Sequence, residues 1–360
     1  MNSVVVIDVG RTNLATSESY ENLARAIAQR VDLGQRPVVV VGPQPADAHG
    51  RKDGPRAADR TATTRTGRGL LALSATATAH RLAGALHRLG RDAAALSGAR
   101  LGLTVPSQAP GAGLSGMDGT AVREALHRHE VIVVPGGQAV DGAGRSVWLG
   151  EHGVDLSAVA IAAALGVGTC EIHSAAGGVR TADPELVPGA GLLPAVSWDS
   201  AELLGGYAAE PISRRAVRLA RRHGVTMVHR RESEPLSGDG TVIGADGAPV
   251  VAVLHDRTAR ARRYATEEEA DRAYAAFRDA GLNAVRPHCG PVVTVRGLAE
   301  PDAVERRAGL RGTPAGVPVT VVRGAEVRHH FAVDGDTALR LVGELHDMVT
   351  AEDQAAAGVR

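Results

Sequence analysis

RSVWLGEHGVDLSAVAIAAALGVGTCEIHSAAGGVRTADPELVP, residues 145 to 188, runs through a turn, an apolar helix, a short strand, a second turn and an Asp-Pro corner. Leu149 to Gly153 is a Gly-punctuated turn, and Asp155 is suited to be the N-cap of a helix. Leu156 to Leu165 is apolar on every side and meets a stop at Gly166, so a buried helix is expected there. CEIH at 170 to 173 reads as a strand, Ala175 to Gly178 as a small-residue turn, and TADP at 181 to 184 as another turn. Two Gly-rich turns bracketing a buried helix can form an anion cradle.

Outward from this block the strand and helix patterns alternate. VVVI at 4 to 7, the turn Asp8 to Asn13, a helix at 17 to 30 and a strand PVVVV at 37 to 41 open the chain. Residues 46 to 69 are polar, rich in Gly, Arg and Asp, and lack an apolar period, so a long loop is expected, with a helix from Ser74 to Leu89. Strands are expected at 92 to 96, 99 to 103 and 131 to 134, and a helix at 121 to 129. Helices at 197 to 207 and 212 to 224 and a strand at 225 to 229 follow the central block. This alternation predicts a largely parallel sheet covered on both faces, with the strands at 4–7, 38–41, 131–134 and 170–173 in one sheet. Residues 233 to 248 are rich in turn formers and read as a linker. Beyond them, shorter strand and helix patterns predict a small open sheet with helices on one face, whose edges suit side-by-side joining of copies.

At 360 residues the chain can bury one large core and a smaller one. No apolar run approaches 18 residues, and VVVI lacks the basic flank and length of a signal peptide, so a cytoplasmic protein without a membrane span is expected. Cys170 and Cys289 stand far apart and outside any CxxC, which favours neither a disulfide framework nor a zinc site. His329 and His330 are neighbours on an expected strand, point to opposite faces and do not suggest a shared metal. Forty basic residues balance forty acidic ones, and two Phe, two Trp and four Tyr offer few stacking platforms, so nucleic-acid binding is not expected. The basic residues are 39 Arg and one Lys, Lys52, and any mechanism that needs two lysines is excluded.

The ordered series GEHGVD, LSAVAIAAALG, CEIH, SAAGGV and TADP resembles the signature region of the aspartate kinases, within the amino-acid kinase superfamily. DAGLNAV at 279 to 285 and HHFAVDGDTALRLVGELHDMV near the end are similar to the paired ACT modules that follow the kinase domain in that family. The resemblance implies an α/β amino-acid kinase (carbamate kinase-like) three-layer sandwich over 1–232. It also implies a C-terminal α+β ACT-like region over 249–350, tandem and with a shortened first module. The family activity is ATP-dependent phosphorylation of the side-chain carboxylate of L-aspartate, with Mg²⁺. An amino-acid effector at the ACT-like region and a homo-oligomer are implied as well.

Carried onto this chain, the family pattern makes Gly10, Thr12, Ser174, Gly178, Thr181, Asp183 and Pro184 nucleotide-binding candidates. Gly150, Gly153 and Asp155 become substrate-binding candidates, and Asp155 and Arg11 catalytic ones. Other family positions have changed. Asp8 stands where the first strand ends in a phosphate-binding Lys, Arg11 replaces the second Gly of that turn, and Glu210 aligns with a second Lys. Ala75 follows Ser74 where the family has a Glu, Glu151 and His152 replace Arg and Gly, and Ala175 replaces an Asp. At about 4 Å and an effective dielectric near 20, a unit-charge pair is worth about 4 kcal/mol, so reversed signs at Asp8 and Glu210 oppose a polyphosphate.

Each functional reading has a structural counterpart. Asp155 serves a substrate or caps its helix, Asp183 holds a nucleotide loop or an Asp-Pro turn, and Arg11 binds phosphate or pairs with Asp8. Three functions remain open on this reading: a weak aspartate kinase, a noncatalytic amino-acid-binding or partner subunit, and a kinase-fold enzyme that phosphorylates another carboxylate.

Overall fold

The computed structural model describes residues 3–10, 14, 16–44, 65–106, 113–150, 152–207, 212–232, 240–248, 250–297 and 301–357. They gather into two compact units, Met1–Gly178 with Arg215–Ala245 and Val179–Arg214 with Asp246–Arg360.

The first unit opens with β1 (Ser3–Asp8), α1 (Ser17–Asp32), β2 (Gln35–Val41), α2 (Arg65–Arg88) and β3 (Ala93–Ala95). Next come β4 (Leu103–Thr104), β5 (Gly116–Met117), α3 (Thr120–Leu126), β6 (Val131–Pro135), β7 (Gln138–Val140), β8 (Ser146–Trp148), α4 (Gly153–Leu165) and β9 (Thr169–Ser174). After β10 (Ala195–Ser197) and α5 (Trp198–Tyr207) in the second unit, α6 (Arg214–His223) leads to β11 (Thr226–Arg231) and β12 (Gly240–Gly244).

Seven strands of this unit share one sheet in the order β12-β11-β9-β1-β2-β6-β3. The pairs from β11 to β3 that join β9, β1, β2 and β6 are parallel, and β12 closes the edge antiparallel to β11. The four strands expected together at 4–7, 38–41, 131–134 and 170–173 therefore lie in one sheet. Because successive side chains alternate, Ile7, Val9, Val39, Val41, Val131 and Val133 face α1 and α2 and build one core with Leu23, Ile27, Leu82 and Leu86. The other face meets α4, whose Val154 approaches Gly10 and Gly136 so closely that a Cβ on either glycine would lie 2.3 or 2.5 Å from Val154 Cγ1. Helix, sheet and helix make the three-layer sandwich. A smaller sheet, β5-β4-β7-β8, accompanies it.

The second unit carries β13 (Val251–His255), β14 (Arg260–Arg263), α7 (Glu267–Asp279), β15 (Asn283–Val285) and β16 (Val292–Arg296). It ends with α8 (Pro301–Ala308), β17 (Thr313–Arg323), β18 (Glu326–Ala332) and α9 (Gly335–Ala357). Its antiparallel sheet has the order β13-β17-β14-β16-β15, with β18 also on β17. One apolar cluster joins α9 to β13 and β17, and a second joins α7 and α8 to β16.

Several elements depart from the sequence reading for physical reasons. Gly98–Leu101 is a 3-10 turn rather than strand, ended by Gly102 in the left-handed region at φ 70°. Helix α2 begins at Arg65, inside the expected loop, because Leu71 and Ala72 are buried and extend its apolar stripe over a Gly- and Thr-rich start of poor intrinsic propensity. Residues 45–64, with Lys52, lie outside the described residues. The linker reading at 233–248 meets a strand, since 240–244 pair with β11. Strand β14 escapes notice because its RARR sequence looks like a solvated charge run. Arg262 is instead half-buried against Glu305, with Nε 3.0 Å from Oε1, and against Asp302.

Candidate functional site

The C-terminal ends of β1, β2 and β6 meet the N-terminus of α4, where small residues let backbones approach. A Cβ on Gly42 would lie 2.3 Å from the Gly10 carbonyl oxygen, and one on Gly137 would lie 2.4 Å from the Trp148 ring. Ser157 of α4 fastens this end of the sheet: its Oγ donates to the Gly153 carbonyl at 2.9 Å and accepts from the Gly137 N–H at 3.0 Å.

Asp8 ends β1 fully buried, and its Oδ1 accepts the Gly10 N–H at 2.7 Å. The amide of the candidate residue Gly10 is thus engaged by a carboxyl of the same turn. Asp155 is also buried, but α4 starts two residues before it, so it is not the N-cap. That position falls to His152, whose φ of 55° is the single left-handed value among the described non-glycine residues. A non-glycine residue held in that conformation costs of order 1–3 kcal/mol. Its Nδ1 lies 3.6 Å from Asp155 Oδ2. Asp8 and Asp155 both bear on Cys170 of β9, whose thiol is pushed well up by burial and then by these two carboxylates and Glu171.

Ser74 is buried on α2 and accepts the Gln44 N–H at 3.0 Å, while Gln44 Oε1 accepts the Leu14 N–H at 2.6 Å. The pair braces the segment after β1. Ala75 beside it is fully buried and carries no polar group. Gly150 sits at φ 82°, and the turn it begins is held by Arg215, whose guanidinium donates to the Leu149 carbonyl at 2.6 Å. Arg11, Thr12, Glu151 and Glu210 lie outside the described residues.

The nucleotide-loop candidates divide. Ser174 ends β9, 3% exposed, and its hydroxyl has no hydrogen-bond partner among the described residues. The turn Ala175–Gly178 closes by a bond from the Gly177 N–H to the Ser174 carbonyl, with Gly177 and Gly178 at φ 68° and 132°. Thr181, Asp183 and Pro184 belong to the second unit. There Asp183 Oδ1 accepts the Glu185 N–H at 2.9 Å, and Thr181 Oγ1 stands 2.9 Å from His346 Nε2.

Sequence reasoning passed over a charge network on β9. Glu171 joins Arg30 of α1 through a hydrogen-bonded ion pair, His173 Nε2 at 3.1 Å and Arg230 Nε at 4.0 Å. Burial raises the Glu171 carboxyl, but bonds and charge from His173 and Arg30 outweigh it and hold the group below its ordinary value. The available signal was Glu and His two apart in a central strand, which puts both on one face.

The second unit contains a cavity of about 10 Å³, the space of a single water, lined by Tyr207, Asp256, Thr294, Arg296, Thr320 and His329 among others. His329 lies against Tyr207 with ring centroids 4.9 Å apart and planes tilted by 57°, and it meets Thr320 Oγ1 at 3.0 Å. Burial, then the neighbouring His288 and His330, hold His329 down at about 4. The fold thus favours neutral imidazole, whereas the unfolded chain takes a proton near 6.5. This contribution is complete above pH 6.5 and is lost as pH falls from 6.5 toward 4. Urea midpoints at pH 7 and 4.5 should show a larger acid loss for the wild type than for His329→Gln; equal losses would refute it.

Among the described residues no group of three or more His, Cys, Asp or Glu is placed to hold a metal, and no helix is long and apolar enough to cross a membrane. The Amino acid kinase family profile matches residues 3–229. Aspartokinase from Helicobacter pylori is 29% identical over 243 residues, 68% of this chain and 60% of that protein. Aspartokinase from Corynebacterium efficiens is 31% identical over 242 residues, 67% and 57% respectively. The chain thus spans about three fifths of the length of these curated relatives. Escherichia coli aspartokinase III in complex with aspartate and ADP superposes with a TM-score of 0.66 at 15% identity, over 89% of this chain and 88% of that one. UMP kinase from Bacillus anthracis gives 0.50 at 16%, over 68% and 96%. At such identities these structures speak for the fold alone.

Proposed function

The chain belongs to the amino acid kinase family, as a member of its aspartate kinase group, and from that premise we propose an aspartate kinase-like protein whose ATP-dependent phosphorylation of L-aspartate is weak or lost. The observation that carries the reading is the 2.7 Å bond from the Gly10 N–H to Asp8. Phosphoryl transfer relies on fixed positive groups and backbone N–H donors around the phosphates. Here a buried acidic side chain occupies the first turn and already holds one such donor.

The fit to Mg²⁺·ATP is uneven. On the β9 side the unpartnered Ser174 hydroxyl and the left-handed glycines 177 and 178 suit a phosphate or ribose group. On the β1 side Asp8 does not. This favours the second reading, a noncatalytic partner or amino-acid-binding subunit.

The domain assignment, with a kinase-like domain at 1–232, a linker at 233–248 and an ACT-like tandem at 249–350, belongs to the same proposal. So do an amino-acid effector at the tandem, self-association to at least a dimer, which light scattering reads, and a cytoplasmic location. The cavity beside His329 is too small for an amino acid in the conformation described.

Calorimetric titration of the whole chain with ATP and Mg²⁺ tests the central reading. The expected result is weak or undetectable heat that grows in Asp8→Asn. Wild-type binding at low micromolar affinity, unchanged in Asp8→Asn, would overturn the electrostatic account.

A further inference from the structure

TADP at 181–184 follows β9 in the chain, yet its hydrogen bonds run into the second unit. The Thr181 N–H donates to the Gly191 carbonyl at 2.9 Å, and the Thr181 carbonyl accepts the Val253 N–H of β13 at 2.7 Å. Its hydroxyl accepts the Gly191 N–H at 2.9 Å and meets His346 Nε2 of α9 at 2.9 Å. Every polar atom of Thr181 is thus engaged. Leu193 N–H to the Val179 carbonyl, at 2.8 Å, and an Arg180–Leu192 bridge draw the ends of the loop together. Ala182, Val187 and Ala190 are buried with Val253, Val319, Val342 and Leu345.

His346 is 5% exposed on the inner face of α9. Apolar packing alone would allow the loop to slide on β13 and α9, because dispersion has no direction. The His346–Thr181 bond is directional. Together with the Val253 N–H bond to the Thr181 carbonyl it fixes one register, and loss of either side-chain partner leaves a polar atom buried without its bond.

We infer that His346 is a positioning residue: through Thr181 it sets the conformation of residues 179–193, including the nucleotide-binding candidates Thr181, Asp183 and Pro184. The anchoring stands on the contacts above. Its consequence for nucleotide rests on the kinase-like reading. The C-terminal helix then governs a segment that chain order assigns to the kinase-like region, and any ligand that orders or loosens α9 changes that segment.

Amide hydrogen exchange on the full chain reads the anchoring directly. Thr181→Val and His346→Leu, both close in size to the native residue, should each speed exchange at Thr181, Gly191 and Val253 by about tenfold, the scale of one buried hydrogen bond. The double variant should add little beyond either single one. Thr181→Ser and His346→Gln, which retain bonding groups, should stay near the wild type, and amides of β14 and β16 should not change. Wild-type exchange at the three amides in His346→Leu, or an equal rise across the whole unit, would overturn the inference.

ATP titration separates the two ideas. If the wild type binds and His346→Leu weakens binding about tenfold while His346→Gln does not, the positioning role extends to nucleotide. If the wild type binds and His346→Leu binds equally well, that role is overturned. If the wild type binds no ATP, the outcome that the weakened site predicts, the role of His346 stops at the anchoring, and the exchange data decide it.

Discussion

Incubated with ATP, Mg²⁺ and L-aspartate, the chain should form aspartyl phosphate, trapped as its hydroxamate, at least about 100-fold below the 1–100 s⁻¹ of ordinary kinases. The cause is electrostatic. Asp8 is fully buried at the end of β1 and bonds the Gly10 N–H, and on the proposed reading this acidic group stands where a transferred phosphate needs positive charge. Removing one stabilising donor costs about 100- to 1,000-fold in rate, and Asp8 occupies the Gly10 amide and, on the proposed reading, stands in for a cation. On the same reading Glu210 is a second reversal, and the chain's single lysine, Lys52, is far from both in sequence. Asp8→Lys combined with Glu210→Lys should recover part of the rate. Wild-type turnover at ordinary kinase rates would refute the charge argument, and Arg11 would then be the first side chain to remove.

The largest effect on stability is expected at Glu171. Its side chain is 14% exposed, and it is shared by Arg30, His173 and Arg230. Glu171→Ala leaves the Arg30 guanidinium, 13% exposed, and the fully buried His173 without their carboxylate. Breaking a buried ion pair from one side typically costs about 3–5 kcal/mol, because a charge remains desolvated without compensation. Urea unfolding at pH 7 should show a loss of that order. Because the folded carboxyl titrates below its ordinary 4.5, its stabilisation is present above that pH and disappears as pH falls through the lower folded value. The gap between wild type and Glu171→Ala should therefore narrow in acid. A loss under about 1 kcal/mol at pH 7 would mean that the network is no stronger than a surface pair.

The sandwich was legible because its strands are short, apolar and separated by glycine-marked turns. VVVI, PVVVV, VIVV and CEIH could be assigned to one sheet without knowing a contact, since parallel strands buried on both faces need continuous apolar runs. The buried helix was equally plain, although its start was misplaced. Histidine is among the non-glycine residues that enter the left-handed region more often, but that weak preference did not announce position 152.

The candidate site was legible in part. The sequence shows acidic residues at Asp8 and Glu210, and the resemblance alone sets them against family lysines. It also fixed the alternation that puts Glu171 and His173 on one strand face. Tertiary structure alone decided what those groups do. Asp8 turns back to bond its own loop, Ser74 supports Gln44, and Arg30, 141 residues from Glu171, supplies its counter-charge. Tertiary structure also decided that TADP folds with α9 and β13, because Thr181, Gly191, Val253 and His346 share bonds across 165 residues of chain. The physical reason is range. Periodicity and turn chemistry act over a few neighbouring residues, whereas the partner of a buried polar group is chosen by whichever distant element the packed core brings within about 3 Å.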